Sequence, residues 1–174
     1  MLFAAALHEG GHILALRLFR VPVEGLRLSA FGAALYAPGV ARLSYGRELV
    51  AVLAGPAVNL ACAPLTAALA ARLGWETGYL LAGAHALLGF FNLLPIPPLD
   101  GGRALSLAAA YCFGPAAGDA AAALSGLVCA LAAASLGAYL TLFRGRGALF
   151  LLAALGLLAG ALRSAADWGL RKRA

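Results

Sequence analysis

Charged residues are scarce in this chain, and so are cysteines. Only 11% of the 174 residues are charged and 63% are hydrophobic, whereas soluble globular domains are typically about 25% charged and about 45–50% apolar. This composition excludes an ordinary soluble protein and predicts an integral membrane protein with one domain of several helices. The three cysteines have no paired spacing, which excludes a disulfide framework and a cysteine-based zinc knuckle. We interpret them as small buried hydrophobic side chains.

The net charge of +6 raises the question of a nucleic acid partner. The basic residues do not form a stripe with interleaved aromatic residues, so we exclude nucleic acid. They gather between residues 17 and 47 and at the C-terminal end, as basic residues do on the cytoplasmic side of a membrane protein. This distribution predicts an N-terminus outside the membrane and a C-terminus in the cytoplasm.

The apolar runs predict an all-α polytopic membrane protein with about five transmembrane helices. These helices cover residues 2–19, 47–71, 78–91, 117–142 and 148–163, and a short helix at 102–112 follows a Pro-rich break. Residues 23–46 differ, because apolar and polar side chains alternate there and Gly and Pro punctuate the segment. This pattern predicts a short β-hairpin or meander at the membrane boundary.

Residues 8–12 read His-Glu-Gly-Gly-His within the first apolar helix. Each ionisable side chain at the bilayer centre costs about 2.5–3.5 kcal/mol, so a chain that keeps three in one turn is expected to use them. His8 and His12 are four residues apart and project from one face of a helix, so both can bind one metal ion. Glu9 is offset by one residue and can address a water on that metal.

Two histidines leave a tetrahedral zinc site short of a third protein ligand. Asp100 and Glu48 are the candidates, and Asp100 is preferred because it follows the Pro-rich break, where unwound backbone can aim a carboxylate. The alternative for Asp100 is an N-cap of the helix at 102–112. A zinc ion would lower the pKa of a bound water to about 7, and Glu9 would take its proton and deliver it to a leaving amine.

Two asparagines in apolar segments are candidates for hydrogen-bond donors to the developing oxyanion. Asn92 flanks the break, which favours a catalytic role. For Asn59 an interhelical hydrogen bond is at least an equal alternative. His85 lies in the third helix without a partner motif, and we interpret it as a packed or interfacial histidine rather than a metal ligand.

Three motifs carry a resemblance to a known family. They are the His-Glu-Gly-Gly-His motif, the Gly-Pro-Ala-Val-Asn segment at 55–59, and the run NLLPIPPLDGGR at 92–103, which is the most specific. Together they resemble the site-2 protease family of intramembrane zinc metalloproteases. The resemblance is closest to the compact bacterial branch that includes the sporulation-stage sigma-factor processing proteases.

The resemblance implies that His8, His12 and Asp100 bind one zinc ion per chain. It also implies that Glu9 is the catalytic base and that Asn92 assists substrate or transition-state binding. The expected reaction is hydrolysis of transmembrane or membrane-associated segments, known as regulated intramembrane proteolysis, in the bacterial cytoplasmic membrane. We therefore expect a single protease domain over 1–174, with a catalytic core at 2–112 and two accessory transmembrane helices over 117–163.

The expected partners are the lipid bilayer, a regulatory membrane partner and a membrane-embedded protein substrate, such as a transcription-factor precursor or an anti-sigma-type protein. The turn at 72–76 is too short for the peptide-binding domain that some family members insert. We also expect no helix before the catalytic helix and no nucleotide-sensing domain after the last one. Because a helix shields its peptide bonds, the substrate must unwind, and segments 25–46 and 92–98 could then pair with it by strand addition.

Two other functions compete with proteolysis. A non-proteolytic membrane scaffold or chaperone could retain the same fold, but it would have no reason to keep a costly charged set in hydrocarbon. A metal-ion transporter would need polar residues along several helices. The last two predicted helices offer only Ser125, Ser135 and Thr141, so the sequence favours the protease.

Overall fold

The computed structural model describes residues 1–29, 32–97, 99–145 and 147–171. Within these ranges the chain forms six α-helices, two short β-strands and one 3₁₀ helix. The helices are α1 (Leu2–Leu18), α2 (Tyr45–Leu73), α3 (Glu76–Asn92), α4 (Asp100–Phe113), α5 (Pro115–Arg144) and α6 (Ala148–Arg171), and the 3₁₀ helix is Pro38–Arg42. The helix predicted to end at 163 continues to Arg171, since no proline interrupts the residues that follow.

The segment between α1 and α2 contains strands β1 (Gly25–Ser29) and β2 (Gly32–Tyr36). They pair antiparallel with Gly25 opposite Tyr36, and the backbone N–H of Glu24 donates to the Tyr36 carbonyl at 2.9 Å. Some predicted features lie outside the described residues. They are the connection at 30–31, Pro98 of the Pro-rich break, and the basic residues Arg146, Lys172 and Arg173.

The chain divides into two compact units, Met1–Leu94 and Pro95–Ala174. In the first unit α2 packs against both α1 and α3. A small apolar core lies where α1 ends and α2 begins, and the intervening segment packs against it. Its buried residues are Ala15, Leu16, Val21 and Ala51.

Glycines set the spacing of the three helices in the first unit. A Cβ at Gly11 of α1 would lie 2.6 Å from the carbonyl oxygen of Ala54 on α2. A Cβ at Gly89 of α3 would lie 2.9 Å from Cδ2 of Leu60, also on α2. Small residues at these points let the helix backbones approach closely, as in membrane helix bundles generally.

In the second unit α4 packs against α5, and α5 packs against α6. A Cβ at Gly118 of α5 would lie 2.6 Å from the carbonyl oxygen of Ser106 on α4, and one at Gly137 would lie 2.9 Å from Cα of Leu151 on α6. Glycines therefore also allow close helix packing in the second unit. A Cβ at Gly102 would come within 2.6 Å of the Ile96 carbonyl carbon, so the Pro-rich segment folds tightly against the first turn of α4.

Two of the described helices, α2 and α5, are long and apolar enough to cross a membrane. Less than a third of the most apolar stretch of each helix is buried, whereas the core helix of a soluble protein is mostly buried. Large apolar side chains instead cover the outer surfaces of the helices, and such a surface suits lipid. Among them are Leu65, Leu69, Leu80, Leu87, Phe90, Leu124, Val128 and Leu142.

The cysteines are free, as predicted, but they are not all buried. Cys62 and Cys129 are partly buried, whereas Cys112 is exposed. The interpretation of Cys112 as a buried side chain is therefore wrong. A small apolar side chain meets no penalty on a helix surface that is itself apolar.

Candidate metal centre

Helix α1 brings the two histidines of the His-Glu-Gly-Gly-His motif together. His8 is buried and His12 is half-buried, and their Nε2 atoms lie 3.2 Å apart. The rings meet edge to face, with centroids 4.8 Å apart and planes inclined by 82°. Two nitrogen ligands bound to one tetrahedral zinc ion are about 3.3 Å apart, because each Zn–N bond is about 2.0–2.1 Å long. The imidazole pair therefore fits a shared metal ion.

The ring of His12 is oriented by the backbone of α2. Its Nδ1 lies 2.8 Å from the carbonyl oxygen of Ala51, which can only accept, so Nδ1 carries the proton and donates it. The neutral ring then presents a lone pair at Nε2, the form required of a metal ligand. Helix α2 thus selects the tautomer of His12 from 39 residues away in the sequence.

His8 contacts the same helix one turn further along. Its Nδ1 lies 3.2 Å from Nδ2 of Asn59, and Oδ1 of Asn59 lies 3.1 Å from Nδ1 of His85 on α3. These three side chains are buried, with exposed fractions of 6%, 0% and 1%. The interhelical alternative that the sequence left open for Asn59 is therefore observed.

Both ends of the Gly-Pro-Ala-Val-Asn segment contact the histidines of α1. Because α1 and α2 run antiparallel here, Gly55 lies against His12 and Asn59 lies against His8. Pro56 lies in this turn and lacks an N–H, so the carbonyl of Val52 has no partner from the helix at that position. The motif provides one position without a side chain and one amide, spaced by a helical turn.

The sequence predicts that His85 is a packed or interfacial histidine, and His85 is buried. Its hydrogen bond to Asn59 also connects it to His8, a link that the sequence does not predict. The edge of its ring also faces Phe3, with centroids 6.3 Å apart. The only signal in the sequence is an imidazole in an otherwise apolar helix, which does not identify a partner 26 residues away.

The remaining candidates lie on three different helices. Glu9 is half-buried on α1, directly after His8. Asn92 is the last residue of α3, and its Nδ2 donates to the carbonyl of Leu88 at 3.0 Å. In the second unit Asp100 is the first residue of α4, and Leu99 occupies the N-cap position. The alternative that Asp100 caps a helix starting at 102 is therefore wrong, because α4 begins two residues earlier than predicted.

Comparison with known proteins gives two partial matches in sequence. Residues 65–135 match the model of Peptidase family M50; this range includes the segment at 92–103 and not the motif at 8–12. Over 112 residues, 59% of the chain, the sequence is 38% identical to Rip3 of Mycobacterium tuberculosis, in strains Erdman and H37Rv. The name of Rip3 assigns it to the zinc metalloproteases, and the match covers 28% of its length.

A solved structure matches the fold. The site-2 protease from Methanocaldococcus jannaschii superposes with a TM-score of 0.69 at 24% sequence identity, over 94% of this chain and 74% of that one. This likeness extends beyond the range of the family model. The chain therefore has the fold of a site-2 protease, and part of its sequence is similar to Peptidase family M50 and to Rip3.

Proposed function

We propose that the chain is an intramembrane zinc metalloprotease, which hydrolyses peptide bonds in transmembrane or membrane-associated segments of a protein substrate. The observation that carries this proposal is the pair of Nε2 atoms 3.2 Å apart, one of them on a ring whose tautomer a backbone carbonyl selects. Two imidazoles spaced to share one metal ion, inside a protein with apolar outer surfaces, suit hydrolysis in the membrane. The relationship to Peptidase family M50 supports the same reaction.

We assign His8, His12 and Asp100 to one zinc ion per chain. Zinc held there would lower the pKa of a coordinated water and polarise a substrate carbonyl. Asp100 would provide the third ligand from the first turn of α4, where Gly101 and Gly102 are buried. The tight contact of Gly102 with Ile96 and Pro97 supports this role, because it fixes the backbone just before and after the carboxylate.

The chain's own side chains would move the protons. Glu9 follows His8 on α1 and, as general base, would take the proton of the attacking water and pass it to the leaving amine. Asn92 would donate a hydrogen bond to the developing oxyanion. Its amide now bonds the Leu88 carbonyl, so this role requires rotation of the side chain when substrate is present.

The arrangement in the membrane is also part of the proposal. We propose about five transmembrane helices, with the strand segment at the membrane boundary and a single protease domain over 1–174. The N-terminus would lie outside and the C-terminus in the cytoplasm of a bacterial cell. The substrate would be a membrane-embedded protein such as a transcription-factor precursor or anti-sigma-type protein, and it would unwind and pair with β1 or β2, whose edges can accept a further strand.

Zinc content and cleavage, measured together, test the proposal. The full chain in detergent is assayed for bound zinc and for cleavage of a panel of membrane-segment peptides, as wild type, Glu9→Gln and Glu76→Gln. We expect about one zinc in all three. Cleavage should fall about 10²–10⁴-fold in Glu9→Gln alone. Glu76→Gln is the matched control, since Glu76 is an exposed carboxylate in the first turn of α3. A wild-type chain that binds no zinc would favour the scaffold function instead.

A further inference from the structure

Three buried side chains from three helices form one hydrogen-bonded chain that ends at a candidate metal ligand. His85 of α3 contacts Asn59 of α2, and Asn59 contacts His8 of α1, at 3.1 and 3.2 Å. Among the described residues, these three are the buried polar or charged side chains. Buried polar side chains in contact with one another are costly unless each is satisfied, and a satisfied network fixes its members in one orientation.

The atom types in this series of hydrogen bonds indicate where each proton lies. Nδ2 of Asn59 donates to Nδ1 of His8, so neutral His8 carries its proton on Nε2. That proton points to Nε2 of His12, which must accept because its Nδ1 already donates to Ala51. Oδ1 of Asn59 accepts from Nδ1 of His85. Each donor therefore points to the next member of the series, from His85 through the side chains of α2 and α1 to the carbonyl oxygen of Ala51.

A metal ion bound through both Nε2 atoms needs the other tautomer of His8, with the proton on Nδ1. Asn59 can accommodate this tautomer by rotating its amide, because Oδ1 then accepts from His8 and Nδ2 donates to His85. The Nδ1 atom of His85 must then accept, so its proton moves to Nε2. The amide keeps both of its protons, and the rearrangement neither adds nor removes a proton.

We propose that Asn59 and His85 are positioning residues for the metal ligand His8. Asn59 holds His8 in the metal-binding tautomer, and His85 holds the amide of Asn59 in the orientation that this tautomer requires. This inference rests on the proposed function, since it takes His8 to be a metal ligand. It adds to that function a buried relay, which consists of His85, Asn59 and His8. Through this relay α3 controls the strength of metal binding, although α3 carries none of the proposed metal ligands.

Substitutions at position 59 that differ in hydrogen bonding but not in size distinguish this role from simple packing. In Asn59→Asp a carboxylate can accept from Nδ1 of His8, the pairing that strengthens many zinc-bound histidines. In Asn59→Leu, a side chain of similar size, nothing accepts that proton. Leu60→Ala is the matched control, because Leu60 packs over Gly89 in the same α2–α3 contact without belonging to the hydrogen-bonded chain.

The test combines zinc affinity with the tautomers of the histidines, measured on the full chain in detergent. Zinc dissociation constants come from competition with a chelator. Histidine labelled with ¹⁵N reports the protonated nitrogen directly, and the chain has only three histidines. We expect zinc to move the proton of His8 to Nδ1 and that of His85 to Nε2. Asn59→Leu should weaken zinc binding about 10–100-fold, while Asn59→Asp and Leu60→Ala stay near wild type.

Two results would overturn the relay. One is an Asn59→Leu protein that binds zinc as tightly as Leu60→Ala. The other is a wild-type His85 whose protonated nitrogen does not change when zinc is added, a measurement that needs no variant to fold. If wild type binds zinc and cleaves substrate in either case, the relay alone fails and the protease proposal stands. A wild type that binds no zinc removes both.

Discussion

Gly55 of α2 lies directly against the imidazole of His12, and the contact leaves no room for a side chain at that position. A Cβ built on Gly55 would come within 2.7 Å of Cε1 and 2.8 Å of Cδ2 of the ring. Carbon atoms in contact are ordinarily about 3.5–4.0 Å apart. The absence of a side chain at Gly55 therefore lets His12 lie close enough to α2 for its Nδ1 to reach the carbonyl of Ala51.

Replacing Gly55 by Ala should displace His12 and weaken zinc binding. The added methyl group overpacks the site, which typically costs about 1–3 kcal/mol of folding stability. Gly83→Ala is the matched control, because Gly83 lies exposed on α3 with nothing within 4 Å of its Cβ position. Zinc affinity and the thermal unfolding midpoint of both variants check this. Equal affinities in the two variants would contradict the proposed role of Gly55.

The two glycines of the His-Glu-Gly-Gly-His motif should respond differently to Ala. Gly10 is exposed and has nothing near its Cβ position, whereas a Cβ at Gly11 would meet the Ala54 carbonyl oxygen at 2.6 Å. We expect Gly10→Ala to stabilise α1 by about 0.5–1 kcal/mol and Gly11→Ala to destabilise the protein by about 1–3 kcal/mol. Thermal unfolding without added zinc measures both effects. Equal destabilisation in the two variants would contradict the close contact of Gly11 with α2.

Removing the carboxylate of Asp100 should abolish tight zinc binding if it is the third ligand. Two imidazoles alone leave the metal short of protein ligands. Asp119→Ala is the control, since Asp119 is an exposed acidic residue near the start of α5. Zinc is measured after dialysis against a weak chelator. Retention of zinc by Asp100→Ala would assign the third ligand to another residue, and Glu48→Ala would be tested next.

Asn92→Leu should slow catalysis without releasing zinc. Loss of one oxyanion donor typically costs about 10²–10³ in kcat. Asn92 also donates to the carbonyl four residues back in its own helix. Thr141→Val removes a bond of the same kind, from Oγ1 to the Gly137 carbonyl at 2.7 Å, and serves as the control. If kcat falls equally in the two variants, helix stability explains the loss and Asn92 has no role in catalysis.

Local features of the sequence were enough to predict most of the helices and the pairing of two imidazoles on one of them. Apolar runs interrupted by Pro and Gly placed the helices, because these residues break or end helices through local backbone geometry. The spacing of His8 and His12 placed both imidazoles on one face, since four residues make about one helical turn. Their Nε2 atoms are close for that local reason.

The residues that surround those imidazoles depend on how α1, α2 and α3 pack together. The partners of His8 and His12 on α2 are 51 and 39 residues away, and their register depends on how closely the glycines let the helices pack. Hydropathy does not encode this register, so the sequence left two roles open for Asn59 and identified no partner for His85. The proton position on an imidazole is set by its hydrogen-bond partner, and the partners of the three Nδ1 atoms come from other helices.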